Sequence, residues 1–166
     1  MTDGRTSFGV IRHARTEWNR DRRIQGWSDS PLTADGEHQA ELWAAHLQAS
    51  PWDAILASDT GRAQVTARII NRRLGLPLHL EPRLRELDWG RWTGRTVRQL
   101  LGEEPDVVAA QERAGWDFRP PGGESRRDQL ERSRRALLDA AAERPGGAIL
   151  VVTHEGVIKS LAYFLK

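Results

Sequence analysis

Ala148-Ile149-Leu150-Val151-Val152, running directly into Thr153-His154-Glu155-Gly156, is the stretch that decides the fold. It is the strongest strand signal in the chain, and the Val157–Leu165 segment behind it reads as a helix. The same plan recurs upstream. Phe8–Ile11 is a short apolar run ending in Arg12-His13, Ala54–Ala57 is another ending at Ser58, and Leu78–Leu80 is a third. Thr33 is placed to cap a helix to about Gln48 with Ala40, Trp43 and Leu47 on one face. Asp59 is expected to cap a second helix in which Ala63, Ala67, Ile70 and Leu74 share a face and which Gly75 stops. Thr96–Glu112 looks helical, Pro120-Pro121-Gly122-Gly123 is a loop, and Ser125 with Asp128 forms a capping box for a helix to about Glu143. Strands alternating with helices argue for an α/β fold, with a mainly parallel central sheet between helical layers. Ligands in such sheets bind beyond the carboxyl ends of the strands. Arg12-His13, Ser58–Arg62 and Thr153-His154-Glu155 all fall there.

A length of 166 residues suits one core, so residues 1–166 are expected to form one domain. The net charge of +2 is too small for a polyelectrolyte, and Arg20-Arg22-Arg23 is not followed by a stripe of similar clusters. Nucleic acid is therefore not an expected partner. Met1–Ser7 is polar and unlike a signal peptide, and no apolar run approaches the roughly 20 residues that span a membrane. The expected compartment is the cytoplasm. The chain has no cysteine, which excludes disulfides and a thiolate nucleophile.

Two histidines, His13 and His154, each follow a strongly apolar strand, and two arginines, Arg12 and Arg62, occupy equivalent places. Arginine forks match phosphate oxygens, and a helix N-terminus adds N–H donors, so this set reads as an anion pocket containing imidazoles. A neutral imidazole there can attack phosphorus, while the arginines and a second imidazolium stabilise the equatorial oxygens. The leaving oxygen needs a proton, and Glu86 is a candidate donor; on residue chemistry alone, Asp88 and Glu155 remain rivals. Other phosphoryl chemistries lack their parts. The chain has no cysteine, no Asp-x-Asp, no Gly-x4-Gly-Lys-Ser/Thr and no His-Glu-x-x-His. His38, His46 and His79 lack ligand partners at metal spacing and are expected to be structural or superficial.

Arg12-His13-Ala14-Arg15-Thr16-Glu17-Trp18-Asn19 resembles the Arg-His-Gly-x-Thr-x-x-Asn signature of the histidine phosphatase (phosphoglycerate mutase-like) superfamily. The likeness continues through Gln25-Gly26, Asp29–Thr33, Ser58–Ala63, Leu84-Arg85-Glu86, Gly90–Gly94, Gly122–Ser125 and Val152–Gly156. What the resemblance implies is a phosphoglycerate mutase-like three-layer sandwich and a phosphatase needing no metal or organic cofactor. It further implies His13 as nucleophile, Arg12, Arg62 and His154 as phosphoryl ligands, and Glu86 as proton donor and later base. Asn19, Gln25 and Gly26 are implied to lie near substrate. A small phosphomonoester is the expected partner. Phosphosugars, phosphoglycerates, a nucleotide-like phosphate such as α-ribazole phosphate and protein phosphohistidine all remain open.

Departures from the pattern set further expectations. Ala14 stands where glycine is usual, and its methyl is expected to crowd the backbone's approach to phosphate. Arg15 is expected to face solvent, and Glu155, in place of a common glycine, to turn away from the anion it would repel. Trp18, Trp27, Trp89 and Trp92 are either walls of a substrate pocket or ordinary core residues. Lys166 comes where relatives usually continue, so a truncated or compact chain is expected, with a partly bare Val157–Leu165 helix that favours homo-oligomers. A phosphoglycerate mutase using the same site is the alternative activity. An impaired regulatory module is the alternative outside catalysis.

Overall fold

Parallel pairing follows from strands that can be covered on both faces, and in the computed structural model all the named strand pairs are parallel. The structure describes residues 4–165; Met1–Asp3 of the polar start, and Lys166, lie outside the described residues. The elements are β1 (Ser7–Arg12), α1 (Glu17–Arg20), α2 (Ala34–Leu47), β2 (Ala54–Ala57), α3 (Gly61–Leu74) and β3 (Leu78–Leu80). They continue with α4 (Val97–Glu103), α5 (Pro105–Arg113), α6 (Arg126–Glu143), β4 (Ala148–Thr153) and α7 (Glu155–Phe164). The sheet order is β1-β4-β2-β3.

Alternation along the strands builds the layers. Ile55, Ala57, Leu150 and Val152 pack with Ala44 of α2 and with Ala63, Ala67 and Ile70 of α3. Ile149 and Val151 face the other way, onto Leu84 and Ala136 of α6. The result is the expected three-layer sandwich. The middle of the chain packs its own cluster, in which Leu87, Trp92, Leu100, Val108 and Phe118 are buried. Trp92 is thus a core residue.

Two expectations about helices need correction. The stretch Thr96–Glu112 is two helices, because Pro105 cannot continue α4 and instead starts α5 at its first turn. The N-cap of α3 is Thr60 and not Asp59, and Thr60 makes no side-chain cap bond. Asp59 is taken by Arg85, whose Nε and Nη2 donate to it at 2.7 and 2.5 Å. Among the described residues no helix is long and apolar enough to cross a membrane.

The register brings the strand ends level. Arg12 lies beside Thr153, and Ala57 beside Val152, so His13, Ser58 and His154 emerge together at the carboxyl edge.

Candidate active site

His13 follows β1 and is 5% exposed. Its Nδ1 is 2.8 Å from the Ala14 carbonyl, which can only accept, so Nδ1 carries the proton. Nε2 is therefore a lone pair, and it accepts from Arg62 Nε at 3.2 Å. Burial, and after it the Arg62 charge, pushes the His13 pKa down from 6.5 to about 3. His154 is buried beside it, with ring centroids 5.2 Å apart. Its Nδ1 accepts from Arg62 Nη2 at 3.1 Å, which leaves Nε2–H to donate to Ser58 Oγ at 2.9 Å. Burial, then Arg62, pulls its pKa well below the ordinary value. The expected second imidazolium is thus a neutral ring here, because a ring nitrogen that accepts from arginine cannot also be protonated.

Arg62, the second residue of α3, is held on every donor. Besides the two imidazoles, Nη1 donates to Ser28 O at 2.8 Å and Asp29 Oδ1 at 2.9 Å, and Nη2 donates to Gly26 O at 2.8 Å. Asp29 also caps α3 from a distance, accepting from Gly61 N at 2.6 Å and Arg62 N at 3.2 Å. The helix start and the guanidinium are thereby fixed by one carboxylate. Gly26 turns its carbonyl inward through a φ of 54°, and a Cβ there would lie 3.2 Å from Trp89 N.

Glu86 belongs to the loop after the 3-10 turn Pro82–Leu84. Its Oε1 accepts from Leu87 N at 2.8 Å and Gln129 Nε2 at 3.0 Å, and Oε2 accepts from Gly156 N at 3.2 Å. Oε2, with one donor, has the freer lone pair for a proton. Gln129 is itself held by Ser160 Oγ at 3.1 Å. Arg132 donates to the carbonyls of Arg83, Arg85 and Glu86 at 2.7, 2.8 and 2.9 Å and pairs with Glu124. Trp27 Nε1 adds a bond to Glu86 O at 2.8 Å. Of the rivals, Asp88 caps its own loop by accepting from Gly90 N, and Glu155 is engaged elsewhere.

Arg12 is half exposed and pairs with Glu155, with Nη1 2.8 Å from Oε2, while Lys159 Nζ is 2.5 Å from Glu155 Oε1. The expectation that Glu155 turns away is corrected: its carboxylate faces the cation of the pocket. A cleft of about 770 Å³ opens on this side, lined among others by Arg12, Glu86, Trp89, Trp116, Glu155 and Lys159.

The remaining expectations sort by contact. Gln25 is 7% exposed, and its Oε1 has no hydrogen-bond partner among the described residues. Asn19 Oδ1 is spent on the capping box of α1, accepting from Thr16 N at 3.1 Å. The Ala14 methyl does not crowd the anion site; it is buried against Ala40 and Ile69, and Ala14 N donates to Thr66 Oγ1. Arg15 is exposed. Asp29, Gln129 and Arg132 were not anticipated. Only the place of Asp29 within a matched motif hinted at the first.

The model of the histidine phosphatase superfamily (branch 1) matches residues 8–166. The "Probable phosphoglycerate mutase GpmB" of Enterobacter sp. (strain 638) is 43% identical over 145 residues, covering 87% of this chain and 67% of that protein. Among solved structures, Bacillus stearothermophilus YhfR has 33% identity and a TM-score of 0.87, over 96% of this chain and 79% of its own. A mycobacterial glucosyl-3-phosphoglycerate phosphatase, solved with VO3, has 34% identity and a TM-score of 0.86, over 94% and 79%. The α-ribazole phosphatase of Shigella flexneri has 32% identity and a TM-score of 0.85, over 95% and 78%.

Proposed function

The chain belongs to the histidine phosphatase superfamily, and from that premise we propose that it hydrolyses small phosphomonoesters through a phosphohistidine on His13. The observation that carries the reading is the proton inventory of His13. Nδ1–H is committed to the Ala14 carbonyl, so Nε2 presents a lone pair in a site where burial keeps the ring neutral. Arg62 Nε–H donates to His13 Nε2 and an Nη2–H donates to His154 Nδ1. Phosphoryl oxygens compete for these donors, which releases the His13 lone pair and stabilises the charge of the transferring group. Nε2 forms the N–P bond as the ester P–O bond breaks, and Glu86 gives its proton to the departing oxygen. Water then attacks phosphorus, Glu86 takes its proton back, and orthophosphate leaves His13.

The mutase reading is supported by relatives named as probable phosphoglycerate mutases, and the hydrolase reading by the phosphatases among the solved neighbours. The cleft beside Glu86 favours hydrolysis, because its Arg12 and Glu155 walls are about half exposed and give water a path. The test is to give the protein ³²P-labelled phosphomonoester, quench in alkaline detergent, and then expose the labelled protein to acid or base. Label that is acid-labile and base-stable is expected on wild-type protein and absent from His13→Ala. Turnover retained in His13→Ala would refute the reading.

A further inference from the structure

Glu155 stands at the first position of α7, directly after His154, and its carboxylate divides itself between two cations. Oε2 lies 2.8 Å from Arg12 Nη1 and Oε1 lies 2.5 Å from Lys159 Nζ, with Arg12 and Glu155 side chains 43% and 45% exposed. Both Arg12 and Glu155 act on the same ring, the first lowering and the second raising the proton affinity of His13. The mechanism above has no use for this carboxylate. It sits in the wall of the cleft, beside the Arg12 guanidinium, which the family resemblance implies as a phosphoryl ligand.

We propose that Glu155 sets the affinity of the site for phosphate by sharing Arg12, so that substrate and product oxygens must compete with a carboxylate for that guanidinium. The proposal rests on the reading that the phosphoryl group sits against His13 and Arg12. An arginine without this partner would meet a dianion with its full charge. With Glu155 in place, each Arg12–phosphate contact is gained by giving up an ion pair, and the ion pair re-forms as orthophosphate leaves. Lys159 holds the carboxylate when Arg12 turns away, which limits its repulsion of the bound anion. The net effect is looser product binding at a site otherwise built to grip phosphate. Glu155 is therefore an affinity-determining residue that acts through Arg12.

The experiment is calorimetric titration of orthophosphate into four proteins: wild type, Glu155→Gln, Arg12→Ala and the double variant. A half-exposed ion pair supports an effect of about two- to fivefold. Glu155→Gln should bind orthophosphate tighter than wild type by about that factor, with product inhibition strengthened equally in steady state. In the Arg12→Ala background the same substitution should bring no comparable gain, since the two residues act as a coupled pair. Thermal melts of all four control for folding. Unchanged affinity in Glu155→Gln would overturn the proposal, and so would a full gain that persists without Arg12, because that is general charge and not sharing. Failure of wild-type protein to bind orthophosphate at all would overturn the underlying reading of the site, and the proposal with it.

Discussion

At the scale of the residue, acid sensitivity belongs to His13. The folded ring holds its proton more weakly than the unfolded one, so acidification favours the unfolded chain. This contribution to stability is intact above about pH 6.5 and is lost as pH falls from there toward about 3. His154 shifts in the same direction. Denaturant midpoints should drop over this window, and less so in His13→Asn. By NMR, the His13 ring should not titrate between about pH 5 and pH 8, where an ordinary imidazole does; titration near pH 6.5 would contradict its burial beside Arg62. A second outcome concerns Gly156. A Cβ there would meet Glu86 Oε1 at 2.2 Å, so Gly156→Ala must displace the carboxylate. Since alanine suits a helix better than glycine, the melting temperature should hold while alkyl phosphate turnover falls by up to roughly 100-fold. Aryl phosphates, whose leaving groups need no proton, should lose less. The clustered histidines and arginines were legible in the sequence because each abuts an apolar strand or helix start. Gln129 and Arg132 were not, since their roles arise only when α6 is laid against the Glu86 loop, 43 and 46 residues away.

At the scale of the element, α3 is the piece whose placement matters most to the site. Its first N–H groups and its Arg62 guanidinium converge on Asp29. Asp29→Asn keeps the shape but weakens both roles. It should lower stability by about 1 kcal/mol, typical of a lost cap, and raise KM more than it lowers kcat, since Arg62 would wander. Equal stability and unchanged KM would show that Ser28 and Gly26 hold Arg62 alone. Sequence reasoning looked for this cap next door, at Asp59, because capping rules are local. A carboxylate 33 residues away from Arg62 has no local signature. The same limit explains the middle of the chain. Thr96–Glu112 has helical composition throughout, yet Pro105 divides it, and the apolar residues of both halves serve one small cluster.

At the scale of the whole molecule, the alternation of strands and helices was readable because a parallel sheet buries short, nearly continuous apolar runs. The strand order was not readable, since no run names its neighbour. One surface outcome follows from α7, where Tyr163 is 66% exposed, Phe164 53% and Leu165 80%. Contiguous apolar exposure of this kind favours self-association. Sedimentation should show concentration-dependent oligomers, diminished in a Tyr163→Ser, Phe164→Ser, Leu165→Ser variant; a monomer at all concentrations would count against it. The sheet order also bears on how the chain is made. Among the described residues β4 comes last of the strands in sequence but lies between β1 and β2, so Ser7 waits for Ala148 and Ala54 for Ile149. A growing chain carries β1 without β4 while the residues between them are made, which at roughly 5–20 residues per second takes on the order of ten seconds. Throughout that time β1 and β2 have an open flank, and a chaperone that shields extended segments should bind chains truncated before Ala148 more strongly than the folded protein.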